Sequence, residues 1–307
     1  ATIRPAYRVD PDAVWVAETL EAGPVRAACF AEPGAARDAL CLAYQSVSGT
    51  LQPGHDLRLS PSMTATGAMT RNWSVFVHLA NPDGLTEAQR DVYPGGGLIA
   101  TAEIEPGESW NNLIAVRVPP GIYTPQTLDV FLGLYDYATG DRMTPSGDDA
   151  DLDDRAIHLG QIELETPPGS VPNPVGANFD DKLRLLGYEI GDRSLSPSDE
   201  VAITLIWERL EPLQADYAVS VQIIQPDTLA KAAQDDRPPD PPTTEWLAGG
   251  TITDTRALTI ASDAPPGRYR LLVRVYDADQ PERLLPVLAG PGGQAADGVW
   301  LSWIQVE

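Results

Sequence analysis

Along most of the chain apolar side chains fall at every second position, the period of a strand with one covered face. In Trp73-Ser74-Val75-Phe76-Val77-His78-Leu79, the residues Val75, Val77 and Leu79 share one side, while Ser74, Phe76 and His78 take the other. This predicts a strand with the valines inward and with Phe76 and His78 on an outer face. The same reading holds 144 residues later, in Tyr217-Ala218-Val219-Ser220-Val221-Gln222-Ile223, where Val219, Val221 and Ile223 keep the inward phase. Strands of this kind recur roughly every ten residues between turns rich in Pro, Gly and Asp, the spacing of an all-β sandwich. No long amphipathic helix fits the pattern; residues 85–90 read as one short helical turn.

The two matched strands belong to a longer internal similarity. Upstream, Leu51-Gln52-Pro53-Gly54 corresponds to Leu195-Ser196-Pro197-Ser198; downstream, Pro119-Pro120-Gly121-Ile122-Tyr123 corresponds to Pro265-Pro266-Gly267-Arg268-Tyr269. Each of the latter is followed by a strand ending in Tyr-Asp, at Tyr135-Asp136 and Tyr276-Asp277. The closing strands also match, and in both the apolar phase slips, between Leu159 and Ile162 and between Leu301 and Ile304. One extra residue in each strand, a β-bulge, produces such a slip. Five blocks in one order, with offsets from 141 to 146 residues, predict a duplicated folding unit. A Tyr just after Pro-Pro-Gly suits a turn into a central strand, its hydroxyl bonding nearby main chain or its ring joining the core.

The Pro-rich run 166–174 reads as an extended linker, because proline restricts itself and the residue before it. The expected layout is a leader at 1–26 anchored by Val14, Trp15, Val16 and Leu20, a first β-sandwich domain at 27–165, the linker, and a second at 175–307. The fold class is thus all-β, two tandem immunoglobulin-like β-sandwich domains. At 307 residues the chain is long enough for two real cores. Its 21 basic against 44 acidic side chains give a net charge of −23. A surface so acidic repels phosphates, so nucleic acid and anionic lipid are not expected partners. No run is long and apolar enough to span a bilayer. The start, Ala1-Thr2-Ile3-Arg4-Pro5, has neither Met nor the plan of a signal peptide, and reads as trimmed.

Candidate chemistry is sparse. His55, His78 and His158 stand in separate elements without metal-ligand spacing, and no nucleophile elbow, phosphate loop or dinucleotide fingerprint occurs. Asp149, Asp151 and Asp153 alternate in an acidic run; a curled loop would aim them at one Ca²⁺, whereas an open loop would leave them solvated. Cys29 and Cys41 flank a turn and read either as one bridge across a hairpin or as two buried thiols. Of the seven tryptophans, Trp73, Trp207 and Trp303 read as core, while Trp110 and Trp246 lie in polar surroundings and are the glycan-binding candidates.

Two stretches carry a resemblance. Ile3-Arg4-Pro5-Ala6-Tyr7 is similar to the segment after the last membrane helix of bacterial polytopic glycosyltransferases of the dolichyl-phosphate-mannose mannosyltransferase type. Asn178-Phe179-Asp180-Asp181-Lys182-Leu183-Arg184-Leu185-Leu186-Gly187-Tyr188-Glu189 resembles the opening strand of their C-terminal extracytoplasmic β-domains. Val75 to Leu79 with Pro82-Asp83-Gly84, and Pro119-Pro120-Gly121 with Tyr123, resemble the middle of those domains. Departures are Pro238-Pro239-Asp240-Pro241-Pro242 in the second domain and an insertion around residues 124–127 in the first. The resemblance implies an extracytoplasmic (cell surface or periplasm) and non-catalytic module of a cell-envelope protein, tethered to a membrane through a missing N-terminal region. The catalytic acids of such a transferase sit in its membrane part. The expected role is a spacer or a recognition domain for glycan or an envelope protein. A carbohydrate-binding module and a structural subunit of a surface layer or filament, assembling through sheet edges and the leader, are the alternatives.

Overall fold

The computed structural model describes residues 20–166, 171–290 and 297–307. The leader anchors Val14, Trp15 and Val16 and the segment 3–7 lie outside these residues, as do positions 167–170 of the linker. Strands dominate, and the chain divides into two compact units: residues 1–118 with 126–165, and residues 119–125 with 166–307.

Among the described residues the first unit holds twelve strands: β1 (Leu20–Ala31), β2 (Leu40–Leu51), β3 (Asp56–Leu59), β4 (Ser62–Ala65), β5 (Ser74–Ala80), β6 (Thr86–Val92), β7 (Ser109–Asn111), β8 (Ile114–Arg117), β9 (Gln126–Tyr135), β10 (Thr144–Ser146), β11 (Ala150–Asp151) and β12 (Ala156–Leu164). The main path runs β10-β1-β2-β12-β9-β5-β6, while β3 and β8 pair separately. β2 changes partner along its length. Its first residues pair with β4, and its last run parallel to β12, Leu51 opposite Leu164. Three expectations change here. β1 begins at Leu20, so the leader gives way to a sheet strand earlier than residue 26. Residues 86–92 form β6 rather than a helical turn: good helix formers are overruled because β6 pairs with β5 and buries Glu87 and Ala88. Tyr123 and Thr124 belong with the second unit.

The second unit adds β13 (Ala177–Phe179), β14 (Leu183–Ile190), β15 (Ser194–Leu195), β16 (Glu200–Arg209), β17 (Tyr217–Ile224), β18 (Lys231–Arg237), β19 (Thr251–Thr259), β20 (Gly267–Asp277), β21 (Gln280–Leu284), β22 (Val287–Ala289) and β23 (Val299–Val306). Two sheets, β19-β16-β14-β13-β22 and β15-β23-β20-β17-β18, enclose one core that draws Leu185, Ile203 and Trp207 from the first and Val219, Val273 and Ile304 from the second. The fold is sandwich-like. The pairing of the first unit recurs. β15 runs parallel to β23, with Leu195 opposite Val306, and β22 pairs antiparallel with β13 as β10 does with β1. Both closing strands carry the expected bulge, at residues 158–160 against β9 and at residues 300–303 against β20.

Local devices recur as well. The backbone N–H of Trp73 donates to the buried Thr101 hydroxyl at 2.8 Å, and that of Tyr217 to the buried Thr243 hydroxyl at 2.9 Å. The Tyr269 hydroxyl donates to the Pro265 carbonyl at 2.8 Å, fixing the turn four residues upstream. Tyr123 behaves differently: its hydroxyl reaches the Ile190 carbonyl at 3.1 Å, and the Arg193 guanidinium lies 4.5 Å from its ring centre. Nor is the end of the linker run a free extended tether. Asn173 is buried, accepts from the Thr124 N–H and donates to the Tyr188 carbonyl at 2.9 Å.

Candidate functional site

The candidate glycan residues of the sequence are not at the surface. Trp110 is 3 % exposed, opposite Met63 on the β4–β7 ladder, and Trp246 is 1 % exposed, its indole N–H donating to the Pro241 carbonyl at 2.9 Å. Their polar sequence neighbours do not cover them; residues from adjacent strands do. Trp73 and Trp207 are core, whereas Trp303 departs from its expected place and is half-buried, as is Trp300. Cys29 and Cys41 sit directly opposite each other on β1 and β2 and are joined by a disulfide.

A cleft lies on the outer face of the first unit. β5, β9 and β12 are adjacent, and their inward residues, among them Val77, Leu132 and Ile157, are buried. Alternation therefore turns His78, Phe131 and His158 outward, and register sets them in one row: His78 opposite Phe131, Phe131 opposite His158. Phe131 and His158 rings are 5.2 Å apart. Asp129, one outward position along β9, holds His158 Nε2 at 2.7 Å and accepts from Gln161 Nε2 at 2.9 Å. Beside this row Phe76 is buried, its ring tip against Gly133, where a Cβ would come within 2.3 Å of it, and Arg142 covers the ring at 4.5 Å. The glycine makes room for the ring.

The acidic run forms the wall. The His158 N–H donates to the Asp149 carbonyl at 2.9 Å, tying residues 148–152 against β12. The resulting cleft of about 570 Å³ is lined by Asp129, Phe131, Asp148, Asp149, Ala150, Asp151, Leu152 and His158. Asp149 is engaged by the Arg26 guanidinium and the Tyr44 hydroxyl. Burial and then the bond to Asp149 hold Tyr44 far above the usual phenol range. Asp151 Oδ1 accepts the N–H groups of Asp153 and Asp154 at 3.0 Å each. Asp149, Asp151 and Asp153 are thus not aimed at a common point, and among the described residues no group of three or more His, Cys, Asp or Glu is arranged to hold a metal ion. Register, which places Asp129 beside His158 across two strands, is the signal that composition and spacing lack.

Chemically, the cleft offers one half-exposed aromatic ring, carboxylates that accept hydrogen bonds, and an oriented His–Asp pair. No Ser, Thr, Cys or Lys lines it among the described residues.

No protein-family model matches the chain, and no curated protein matches it. Among solved structures it is similar to the transglutaminase of red sea bream at 10 % identity, over 74 % of this chain and 28 % of that one, with a TM-score of 0.20. A likeness of that strength carries no argument about this chain.

Proposed function

We propose that the chain is a non-catalytic recognition module of a cell-envelope protein, two tandem immunoglobulin-like sandwiches outside the cytoplasm, and that its first unit binds a hydroxyl-rich glycan. The observation that carries the binding is the cleft over the His78–Phe131–His158 row. Phe131 offers a flat apolar face, and Asp129, Asp148 and Asp151 accept from sugar hydroxyls within reach of that face. The Cys29–Cys41 bridge favours an oxidising compartment. The recurring pairing and the Tyr269–Pro265 bond favour the tandem immunoglobulin-like reading. Envelope placement and tethering through a missing N-terminal region follow the resemblance to the mannosyltransferase-type β-domains. Reading the coding sequence upstream of Ala1 for membrane spans tests that part.

The binding is tested by probing the full chain on a glycan array and measuring the best ligand by calorimetry. Phe131→Ala and Asp129→Asn are expected to weaken it at least ten-fold, with Trp110→Ala read only as a folding control. A flat array, or a ligand held equally by both cleft variants, would refute the proposal.

A further inference from the structure

The outer face of the second unit carries a different surface at the same place. In that sheet Gln222, Leu272 and Trp300 hold the register positions of His78, Phe131 and His158, Gln222 opposite Leu272 and Leu272 opposite Trp300, but Gln222 and Leu272 are buried and only Trp300 of the three is partly exposed. One outward position along β20 stands Arg270, where β9 has Asp129, and opposite it Trp303, where β12 has Gln161. The charge at the centre of the face is inverted.

The basic side chains here are ordered by the aromatic ones. Arg268 lies 4.3 Å from the Trp303 ring centre, and Arg270 lies 5.2 Å from Trp303 and 5.7 Å from Trp300. Arg270 Nε and Nη2 both donate to the Leu301 carbonyl, at 3.1 and 2.9 Å. A guanidinium stacked on an indole keeps its donors in its own plane, directed away from the ring, the geometry that suits a carboxylate. Arg274 and Lys231 share the face, opposite Ser220 and Ile224, and one carboxylate, Asp236, stands at its β18 edge, held by Gln234. Four of the chain's 21 basic residues thus gather on one face of that sheet in a protein with net charge −23. Beneath them two buried polar atoms, Arg274 Nε and the Oε1 of Gln222 (4 % exposed), have no hydrogen-bond partner among the described residues.

From this face we infer a second ligand site, for a carboxylate-bearing saccharide, a uronic acid or similarly acidic sugar, on Arg268, Arg270, Trp300 and Trp303. The guanidinium groups, ordered over Trp303, take the carboxylate, and the half-buried Trp300 takes the ring. A sparsely charged sugar fits better than a dense polyanion, because the remainder of the chain repels the latter. The inference rests on the glycan-recognition reading, but it uses other residues, so the two fail separately.

The test is calorimetric titration of the full chain with trigalacturonate, with the neutral galactose trimer, with inorganic phosphate and with vesicles containing anionic lipid. Trigalacturonate is expected to bind at least ten-fold more tightly than the neutral trimer, with a change in tryptophan emission. Arg268→Gln is expected to lose ten-fold or more with an unchanged melting temperature, and Arg270→Gln to lose more. Phe131→Ala, in the other unit, is expected to bind trigalacturonate like the parent. Because Arg270 anchors the Leu301 carbonyl, the well-exposed Arg268 variant decides the case if Arg270→Gln is unstable. Equal binding of charged and neutral trimers, parent-like binding by Arg268→Gln, or equal or tighter binding of phosphate or vesicles would each overturn the inference.

Discussion

Arg256 is 1 % exposed and points inward from β19, between the two sheets of the second unit. Its Nε and Nη2 donate to Asp254 Oδ2 at 3.0 and 2.7 Å, its Nη1 to the Val219 carbonyl at 2.9 Å, and its Nη2 to the Arg237 carbonyl at 3.1 Å. Arg237 answers by donating to the Thr255 carbonyl at 3.1 Å. One guanidinium therefore stitches β19 to β17 and β18 of the opposite sheet. Replacing it by Met keeps much of the volume but leaves Asp254, 5 % exposed, as an uncompensated buried charge, together with two carbonyls short of a donor. Breaking such a pair from one side costs about 3–5 kcal/mol. For a unit of this size that lowers the melting temperature by roughly 6–20 °C. Urea unfolding followed by tryptophan fluorescence gives the free energy, and hydrogen exchange by mass spectrometry localises the loss to β17, β18 and β19. The double variant Arg256→Met with Asp254→Leu removes the orphaned charge too and is expected to recover to within about 1 kcal/mol of the parent, because a buried ion pair offsets little more than its own desolvation. A single variant costing under about 1 kcal/mol, or a double no more stable than the single, would refute the assignment of the loss to an orphaned buried carboxylate.

Two further outcomes follow from the first unit. Burial raises the Glu32 carboxyl pKa, but hydrogen bonds from the Trp73 indole and from Thr70 outweigh it, and the net value lies below the ordinary 4.5. A depressed folded-state pKa contributes stability that is present above the unfolded value and lost as pH falls through the folded one. The parent's advantage over Glu32→Gln, measured by urea midpoints, should therefore be full at pH 6 and shrink progressively below about pH 4.5; an advantage independent of pH would exclude this account. The Cys29–Cys41 bridge closes a short loop, so Cys29→Ala with Cys41→Ala should lower stability by roughly 2–3 kcal/mol, and reductant should move the parent's urea midpoint to that of the variant.

Much of this architecture was legible because burial is written in the period of the strands. Val75, Val77, Val219 and Val221 are all buried, as their alternation requires, and the slip between Leu159 and Ile162 marks a real bulge. What the period leaves open is which residues of other strands cover a given side chain. Trp110 is flanked in sequence by Ser109 and Asn111 yet is buried opposite Met63 on the neighbouring strand, and Trp303 stands one step past a bulge, where the inward phase has flipped. Arg256 shows two sequence signals in conflict. Its phase, shared with Leu258, points inward, while its charge argues for solvent. Asp254 on the same side of the strand resolves the conflict, since a buried charge needs a partner. His158 and Asp129 meet only through the β9–β12 register, which no local pattern specifies.

The inner and outer faces of the two units obey different constraints, and that difference is measurable. Inward, Val75, Val77 and Leu79 correspond to Val219, Val221 and Ile223, all buried and all apolar, because each must fill the space left by the facing layer. Outward, the rows His78–Phe131–His158 and Gln222–Leu272–Trp300 share neither charge nor shape. An outward position does not have to fill the space between the layers and, on the proposed reading, follows a ligand, although Gln222 and Leu272 are themselves buried. Grafting the second row onto the first, as His78→Gln, Phe131→Leu and His158→Trp, should abolish cleft binding while lowering the stability of the unit by no more than about 1 kcal/mol. Val77→Ala, one inward position away, should cost roughly 1–3 kcal/mol and leave the cleft residues in place. Paired calorimetry and urea titration separate the two quantities. If the outer graft proved the more destabilising, the row would be part of the packing, and the reading of that face as a ligand surface would fall.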